Sequence, residues 1–289
     1  MNADCAFQIG ASHSVCQDYA RAWSRRPAAA AQGSGRQLAP YVILSDGCSS
    51  SPDTDFGARL LVKAAEQTLR DHGDIPARGT AAFHREAARR ALAWAESAGL
   101  PPQAVDATLL TAHLGGEELI LGCSGDGVIC LQSRAGDLDV YTVSYPSGYP
   151  VYPGYAHQPE RLLALEAAAP QGKEVRHFRS PSVEERLRLV GVTGGDSLTE
   201  VLAVNASDYE YAALLTDGIH SFLRAGRAAA GAHAESIPTD EALRALVSFK
   251  SNGGSFVGRR AKRFRKDCQA WGWRHEDDLA VGALHLGGW

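Results

Sequence analysis

Apolar residues recur along this chain with two periods, and the periods divide it into helices and strands. Phe56, Leu60, Leu61, Ala64, Ala65 and Leu69 fall at helical spacing, which predicts one amphipathic helix running to about His72. Ser51-Pro52 ahead of it offers an N-cap followed by proline at the first helical position. Phe83, Ala87, Leu92 and Trp94 repeat the pattern over residues 80–97, and Gly99 with Pro101-Pro102 ends that second helix. Helical texture returns at 240–249 and 256–271. Elsewhere the apolar runs are short and bounded by turn residues. They predict strands at 5–12, 41–45, 174–179, 186–192, 198–205, 209–216 and 279–286. Residues 106–143, with turns at Gly115-Gly116, Asp126-Gly127 and Gly136-Asp137, read as an antiparallel meander. Residues 25–37, rich in Ala, Gly, Ser and Arg, predict an exposed hairpin loop. Residues 144–159, rich in Pro, Tyr and Gly, predict a long lid-like loop. Helices embedded among antiparallel strands define an α+β fold, with two packed sheets and helices outside. With no internal repeat and no long linker, residues 1–289 are expected to form a single domain.

Composition narrows the functional classes. A net charge of −4 over 289 residues argues against a dedicated nucleic-acid binder. The six cysteines (5, 16, 48, 123, 130 and 268) contain no C-x-x-C pair, so they read as reduced, mostly buried thiols suited to the cytosol. The N-terminus shows no basic stretch followed by an apolar one, and no run has the length of a membrane span. A soluble, cytoplasmic protein is the expectation.

The chemistry lies where apolar runs end. Tyr41-Val-Ile-Leu-Ser-Asp46-Gly47, Leu119-Ile-Leu-Gly-Cys-Ser-Gly-Asp126-Gly127 and Ala212-Ala-Leu-Leu-Thr-Asp217-Gly218 each close on Asp-Gly. Gln17-Asp18 and Asp277-Asp278 complete the set. Asp-Gly is also a common hairpin turn. Asp46-Gly47 and Asp217-Gly218, however, are followed by irregular or helix-forming sequence rather than by a partner strand. Gathered carboxylates repel one another and are costly to bury, so a fold that assembles several needs cations between them. The fitting occupants are hard divalent ions, and the fitting class is a metal-dependent hydrolase.

In order and strand context these five motifs resemble the PP2C (PPM) family of metal-dependent serine/threonine protein phosphatases, and most closely its bacterial members. The resemblance runs from about Phe7 to Leu286. It implies a four-layer αββα sandwich, with a metal site in a cleft at one end, binding two and with Asp126 three ions of Mn²⁺ or Mg²⁺. By position it makes Asp46 the bridging ligand, Gly47 a carbonyl ligand, and Asp217 and Asp277 the other ligands of the first pair of ions. Asp18 corresponds to an outer carboxylate and Asp126 to a third-metal ligand. Asp278 stands where the family often has asparagine, so the ligand falls between Asp277 and Asp278, with Asp277 preferred. His13 occupies the place of a phosphate-holding arginine, which would put it with Asp46 and Asp217 among the catalytic residues. Gln17 and Cys48 also depart from the family pattern. The implied activity is hydrolysis of phosphoserine and phosphothreonine, and the implied partner is a phosphorylated protein, either a cognate kinase or that kinase's target. The departures at His13, Gln17 and Cys48 leave a second class open, a catalytically weak module that binds phosphoproteins.

One feature falls outside these motifs. Arg259-Arg260-Ala-Lys262-Arg263-Phe-Arg265-Lys266 is a dense basic run at helical spacing. It reads either as a solvated helix face or as a surface that steers an acidic phosphoprotein or nucleic acid. Membrane association is not expected, and nucleic acid is disfavoured by the overall charge.

Overall fold

The structure is a computed structural model describing residues 1–24, 38–73, 75–180, 184–187, 198–224 and 234–287. In chain order the strands β1 (Asn2–Gln8), β2 (Asp18–Trp23) and β3 (Tyr41–Asp46) precede helices α1 (Thr54–His72) and α2 (Thr80–Ser97). Strands β4 (Leu109–Gly115), β5 (Glu118–Ser124), β6 (Gly127–Ser133) and β7 (Leu138–Ser144) follow, then helix α3 (Pro159–Ala168). Next come β8 (Glu174–Ser180), β9 (Glu184–Leu187), β10 (Thr199–Asn205), β11 (Tyr209–Leu215), β12 (Phe222–Arg224) and β13 (Glu235–Ser236). Helices α4 (Thr239–Leu246) and α5 (Phe256–Trp271) lead to β14 (Trp273–His275) and β15 (Leu279–His285).

Two antiparallel sheets carry the fold. One has the order β1-β15-β11-β6-β7-β8-β9 and the other β10-β5-β4-β3-β2; a small sheet joins β13, β12 and β14. Alternation along the strands makes the layers. Val42 and Leu44 of β3 pack with Leu110, Leu121, Ile129, Leu214 and Leu284 between the two large sheets. Tyr41 and Ile43 point the other way, onto the small residues Ala58, Ala65, Ala87 and Ala91 of α1 and α2. On the far face Val128, Val140, Leu215 and Val281 meet Leu243, Leu246, Phe256 and Phe264 of α4 and α5. The result is helix pair, sheet, sheet, helix pair, the four-layer α+β sandwich expected from the sequence.

Several local expectations change. The first strand ends at Gln8 instead of running to Ser12, and β2 begins at Asp18, a strand that the sequence pattern did not mark. Helix α1 is entered through Asp53, in the left-handed region at φ 55° with no side-chain cap, so Ser51-Pro52 does not cap it. Phe56, on its first turn, is 58 % exposed. The meander is split: β4 and β5 lie in one sheet and β6 and β7 in the other, so Asp126-Gly127 is a crossing between sheets, not a hairpin. Gly125 at φ +85° and Gly127 at φ +149° supply backbone angles that L side chains rarely adopt. Helix α3 occupies a stretch the sequence reading left without structure. The loop expected at 25–37 and most of the strand expected at 186–192 lie outside the described residues.

Candidate metal centre

Strand register alone brings the motif aspartates to one end of the sandwich. In the five-stranded sheet Asp18, at the start of β2, lies opposite Asp46 at the end of β3. In the other sheet Leu215 of β11 pairs with Val281 of β15 on one side and Val128 of β6 on the other. Asp217 therefore emerges between Asp277-Asp278, before β15, and Asp126, before β6. Thr216 ties the two sheets together: its hydroxyl donates to Asp18 Oδ2 at 2.7 Å and accepts from the Ala280 amide at 2.8 Å. Asp46 is fixed by its backbone, whose N–H donates to Thr108 Oγ1 at 3.0 Å and whose carbonyl accepts from the Thr108 amide at 2.8 Å.

The electrostatics are those of crowded acids. Burial, followed by repulsion from Asp18 and Asp217, pushes the Asp46 carboxyl well above the usual carboxylate range. Burial also raises Asp18 to about 7 against the partial relief of hydrogen bonds, with Asp217 and Asp278 adding repulsion. Burial and then Asp217 raise Asp126 to about 7, and the same two causes raise Asp277. Asp18 Oδ1 and Asp217 Oδ1 are buried with no hydrogen-bond partner. Among the described residues, no three His, Cys, Asp or Glu side chains stand in an arrangement that could hold a metal ion as it is. What converges is a set of acids that raise one another's pKa, two of them with an unpartnered buried oxygen.

Asp278 plays a different part from its neighbour. It is buried, and its two oxygens accept from the Gly10 amide at 2.7 Å and the Gln17 amide at 2.6 Å. Both oxygens thus help to pin the 10–17 loop that delivers Asp18. Asp277 is 43 % exposed on its side chain and faces the other acids. Two glycines make this packing achievable. A Cβ on Gly218 would stand 1.8 Å from the Asp278 carbonyl oxygen, and one on Gly10 would stand 2.2 Å from the Asp277 carbonyl carbon. Gly47 lies equally tight against Thr54 at the start of α1, where a Cβ would meet the Thr54 carbonyl oxygen at 2.6 Å.

His13 lies beside two of these acids. Its Nδ1 lies 3.0 Å from Asp278 Oδ2 and its Nε2 3.6 Å from Asp277 Oδ1, and the contact with Asp278 raises its pKa. Gln17 is engaged, donating from Nε2 to Thr54 Oγ1 at 2.9 Å, while its carbonyl accepts from the Gly47 amide at 3.2 Å.

Sequence reasoning missed a second layer. Arg161, on the first turns of α3, makes a two-pronged contact with buried Asp106 at 2.9 and 2.7 Å. Asp106 in turn accepts from Ser51 Oγ at 2.9 Å, and its carbonyl takes the Cys48 amide at 2.8 Å. The pair therefore anchors the loop that follows Asp46-Gly47. Tyr152, buried in the segment expected to be lid-like, hydrogen-bonds the Cys48 thiol and feels the charges of Asp126 and Asp46. Burial opposes Cys48 ionisation, but hydrogen bonds from Ser50 and Tyr152 outweigh it and lower the thiol pKa. Neither Asp106 nor Arg161 stands in a recognisable motif. The one available signal was an isolated arginine just inside a proline-started helix.

A strand-end acid cluster between two sheets flanked by helix pairs defines the class, that of the PP2C-type phosphatase fold. The family model for protein phosphatase 2C matches residues 9–249, and the chain belongs to that family. Asp277 and Asp278 lie beyond the matched segment. A bacterial serine phosphatase structure superposes with a TM-score of 0.58 at 10 % identity, covering 100 % of this chain and 98 % of that one. The serine/threonine phosphatase Stp1 from Staphylococcus aureus gives 0.56 at 10 % identity, covering 100 % and 96 %. The catalytic domain of the serine/threonine phosphatase PstP, in complex with two manganese ions, gives 0.51 at 14 % identity, covering 97 % and 96 %. A search of curated proteins returns no match.

Proposed function

We propose that this chain is a divalent-metal-dependent protein serine/threonine phosphatase that hydrolyses phosphoserine and phosphothreonine in a cytoplasmic kinase substrate or in the kinase itself. The observation that carries this reading is the convergence of Asp18, Asp46, Asp126, Asp217 and Asp277, with buried oxygens of Asp18 and Asp217 unpartnered. The donor set fits a hard cation. It offers only oxygen, it carries excess negative charge, and Gly47 leaves room for a backbone carbonyl to join it. Asp46, Asp217, Asp277 and the Gly47 carbonyl would hold a pair of Mn²⁺ or Mg²⁺ ions, with Asp18 outside them and Asp126 beside them. Ions so held supply a water of lowered pKa and neutralise phosphoryl oxygens.

The chain's own residues prepare that site. Asp278 and the Thr216 hydroxyl position the 10–18 segment and Asp18. The Asp106–Arg161 pair fixes the loop after Asp46, and Tyr152 closes one side. His13, held between Asp277 and Asp278, is a positioning residue whose charge offsets theirs.

Turnover of a small aryl phosphate with and without Mn²⁺, in wild type and Asp217→Asn, tests the reading. Mn²⁺-dependent turnover lost in the variant is expected; metal-independent turnover, or full activity in the variant, would refute it. One observation favours the second class: Gln17 is engaged within the protein by its bond to Thr54, and His13 lies against Asp277 and Asp278. Tight phosphopeptide binding with no turnover at saturating Mn²⁺ would decide for a binding module.

A further inference from the structure

The basic run found in the sequence is helix α5, and its outer face carries a charge that the other described residues leave largely unpaired. Phe256, Val257, Phe264 and Cys268 are buried against the seven-stranded sheet. At 100° per residue, Arg259, Lys262, Arg263 and Lys266 fall together on the opposite side, a stripe spanning about 10 Å of helix. Its compensation is slight. Among the described residues Arg259 bonds neutral groups, Ser251 Oγ at 2.8 Å and the Gly253 carbonyl at 2.6 Å. Asp267, the one acid in the helix, is shared by Arg263 at 2.9 Å and Arg260 at 3.2 Å. Lys262, Arg265 and Lys266 are exposed and make no ion pair among the described residues.

The stripe also has a direction. Near the N-terminus of α5 the Gly258 amide donates to Asp4, which lies opposite Ala283 of β15. The C-terminal end passes through Gly272 and β14 to Asp277, six residues beyond Trp271. The helix therefore runs from the far end of the sheet toward the carboxylate cluster, and at most about 30 Å of chain separates Lys266 from Asp277.

We infer that this stripe is a docking surface for an acidic segment of the phosphoprotein substrate, within roughly nine extended residues of the phosphorylated side chain. The inference rests on the proposed phosphatase activity. Charge complementarity selects the partner: four clustered cations match a short run of Asp or Glu. A nucleic acid would extend past the 10 Å stripe onto a molecule with a net charge of −4 and a pI of 6.2, where its phosphates meet repulsion.

The test compares a phosphothreonine peptide bearing four glutamates about eight residues away, on either side, with its glutamine counterpart. Wild type with Mn²⁺ at low salt should show KM about tenfold lower for a glutamate peptide at equal kcat, and the advantage should vanish at high salt. In the Lys262→Glu/Lys266→Glu variant the advantage should disappear while aryl phosphate turnover stays at the wild-type value. Equal KM for both peptides in wild type, or an advantage that survives charge reversal, would overturn the inference. Fluorescence anisotropy with the unphosphorylated glutamate peptide, without Mn²⁺, reads the stripe separately from the activity. Binding lost in the double variant supports the stripe even where aryl phosphate turnover fails. A DNA oligonucleotide that binds the stripe more tightly than the peptide would overturn the choice of partner.

Discussion

Replacing Asp46 by asparagine should make the metal-free protein more stable while abolishing its response to metal. Asp46 is close enough to Asp18 and Asp217 for their charges to raise it; Asp18 is buried, and Asp46 and Asp217 are half-buried. Asp18 is raised from 3.8 to about 7, so the folded state binds more protons than the unfolded state between those values. Stability of the metal-free protein therefore falls as pH rises from about 4 to about 7. By pH 8 the penalty at this one carboxyl is on the order of 4 kcal/mol. The Asp46→Asn change removes one repelling charge and puts an amide donor beside oxygens that have no partner, regaining about 2 kcal/mol at pH 8. For a chain of this size that is a rise in Tm of roughly 3 °C. Saturating Mn²⁺, at about a hundred times its Kd, should stabilise wild type by about 2.7 kcal/mol and the variant hardly at all. Differential scanning calorimetry at pH 8, with and without Mn²⁺, measures all four values. A variant less stable than wild type without metal, or one that gains as much from Mn²⁺, would refute the reasoning.

Other outcomes follow from the same geometry. Asp278→Ala should lower stability by about 3–5 kcal/mol with or without Mn²⁺, because it orphans the buried Gly10 and Gln17 amides. Asp277→Asn should leave urea stability nearly unchanged and weaken the Mn²⁺ response, and the reverse pattern for these two would reassign the ligand. Arg161→Ala, which strands buried Asp106, should cost about 3–5 kcal/mol in chemical denaturation, and Arg161→Lys should not restore the two-pronged contact. Burial lowers His84 to about 3, so the unfolded chain takes up a proton below about pH 6.5 that the folded chain refuses. Stability should then fall by up to about 1.4 kcal/mol per pH unit between 6.5 and 3, and a His84→Gln variant that keeps that slope would contradict this assignment.

The sequence made the helices and the acid motifs legible for physical reasons that did not extend to their supports. Helices α2 and α5 match their expected spans because each carries a buried face of regular period. Helix α3 buries none of its residues, so it left no such pattern. Strand β2 was hidden because Arg21 lies within it and Asp18 opens it, polar residues explained only by the Glu66 pair and by the cluster. Phe56 read as core, yet the first turn of α1 leaves it exposed. The five motifs were visible because strand ends are where a sheet can project acids together. The hold of Asp278 on the 10–17 loop was not, since it depends on amides more than 260 residues away in the chain. Asp106 and Arg161, 55 residues apart, carry no local signature either.

The most direct measurement is the anomalous scattering of a crystal soaked in Mn²⁺. Peaks in contact with Asp46, Asp217 and Asp277, with the Gly47 carbonyl beside them and Asp278 still holding the Gly10 and Gln17 amides, are the expected result. An empty cleft at saturating Mn²⁺, or peaks that avoid these carboxylates, would contradict the assignment of this centre as the seat of phosphate hydrolysis.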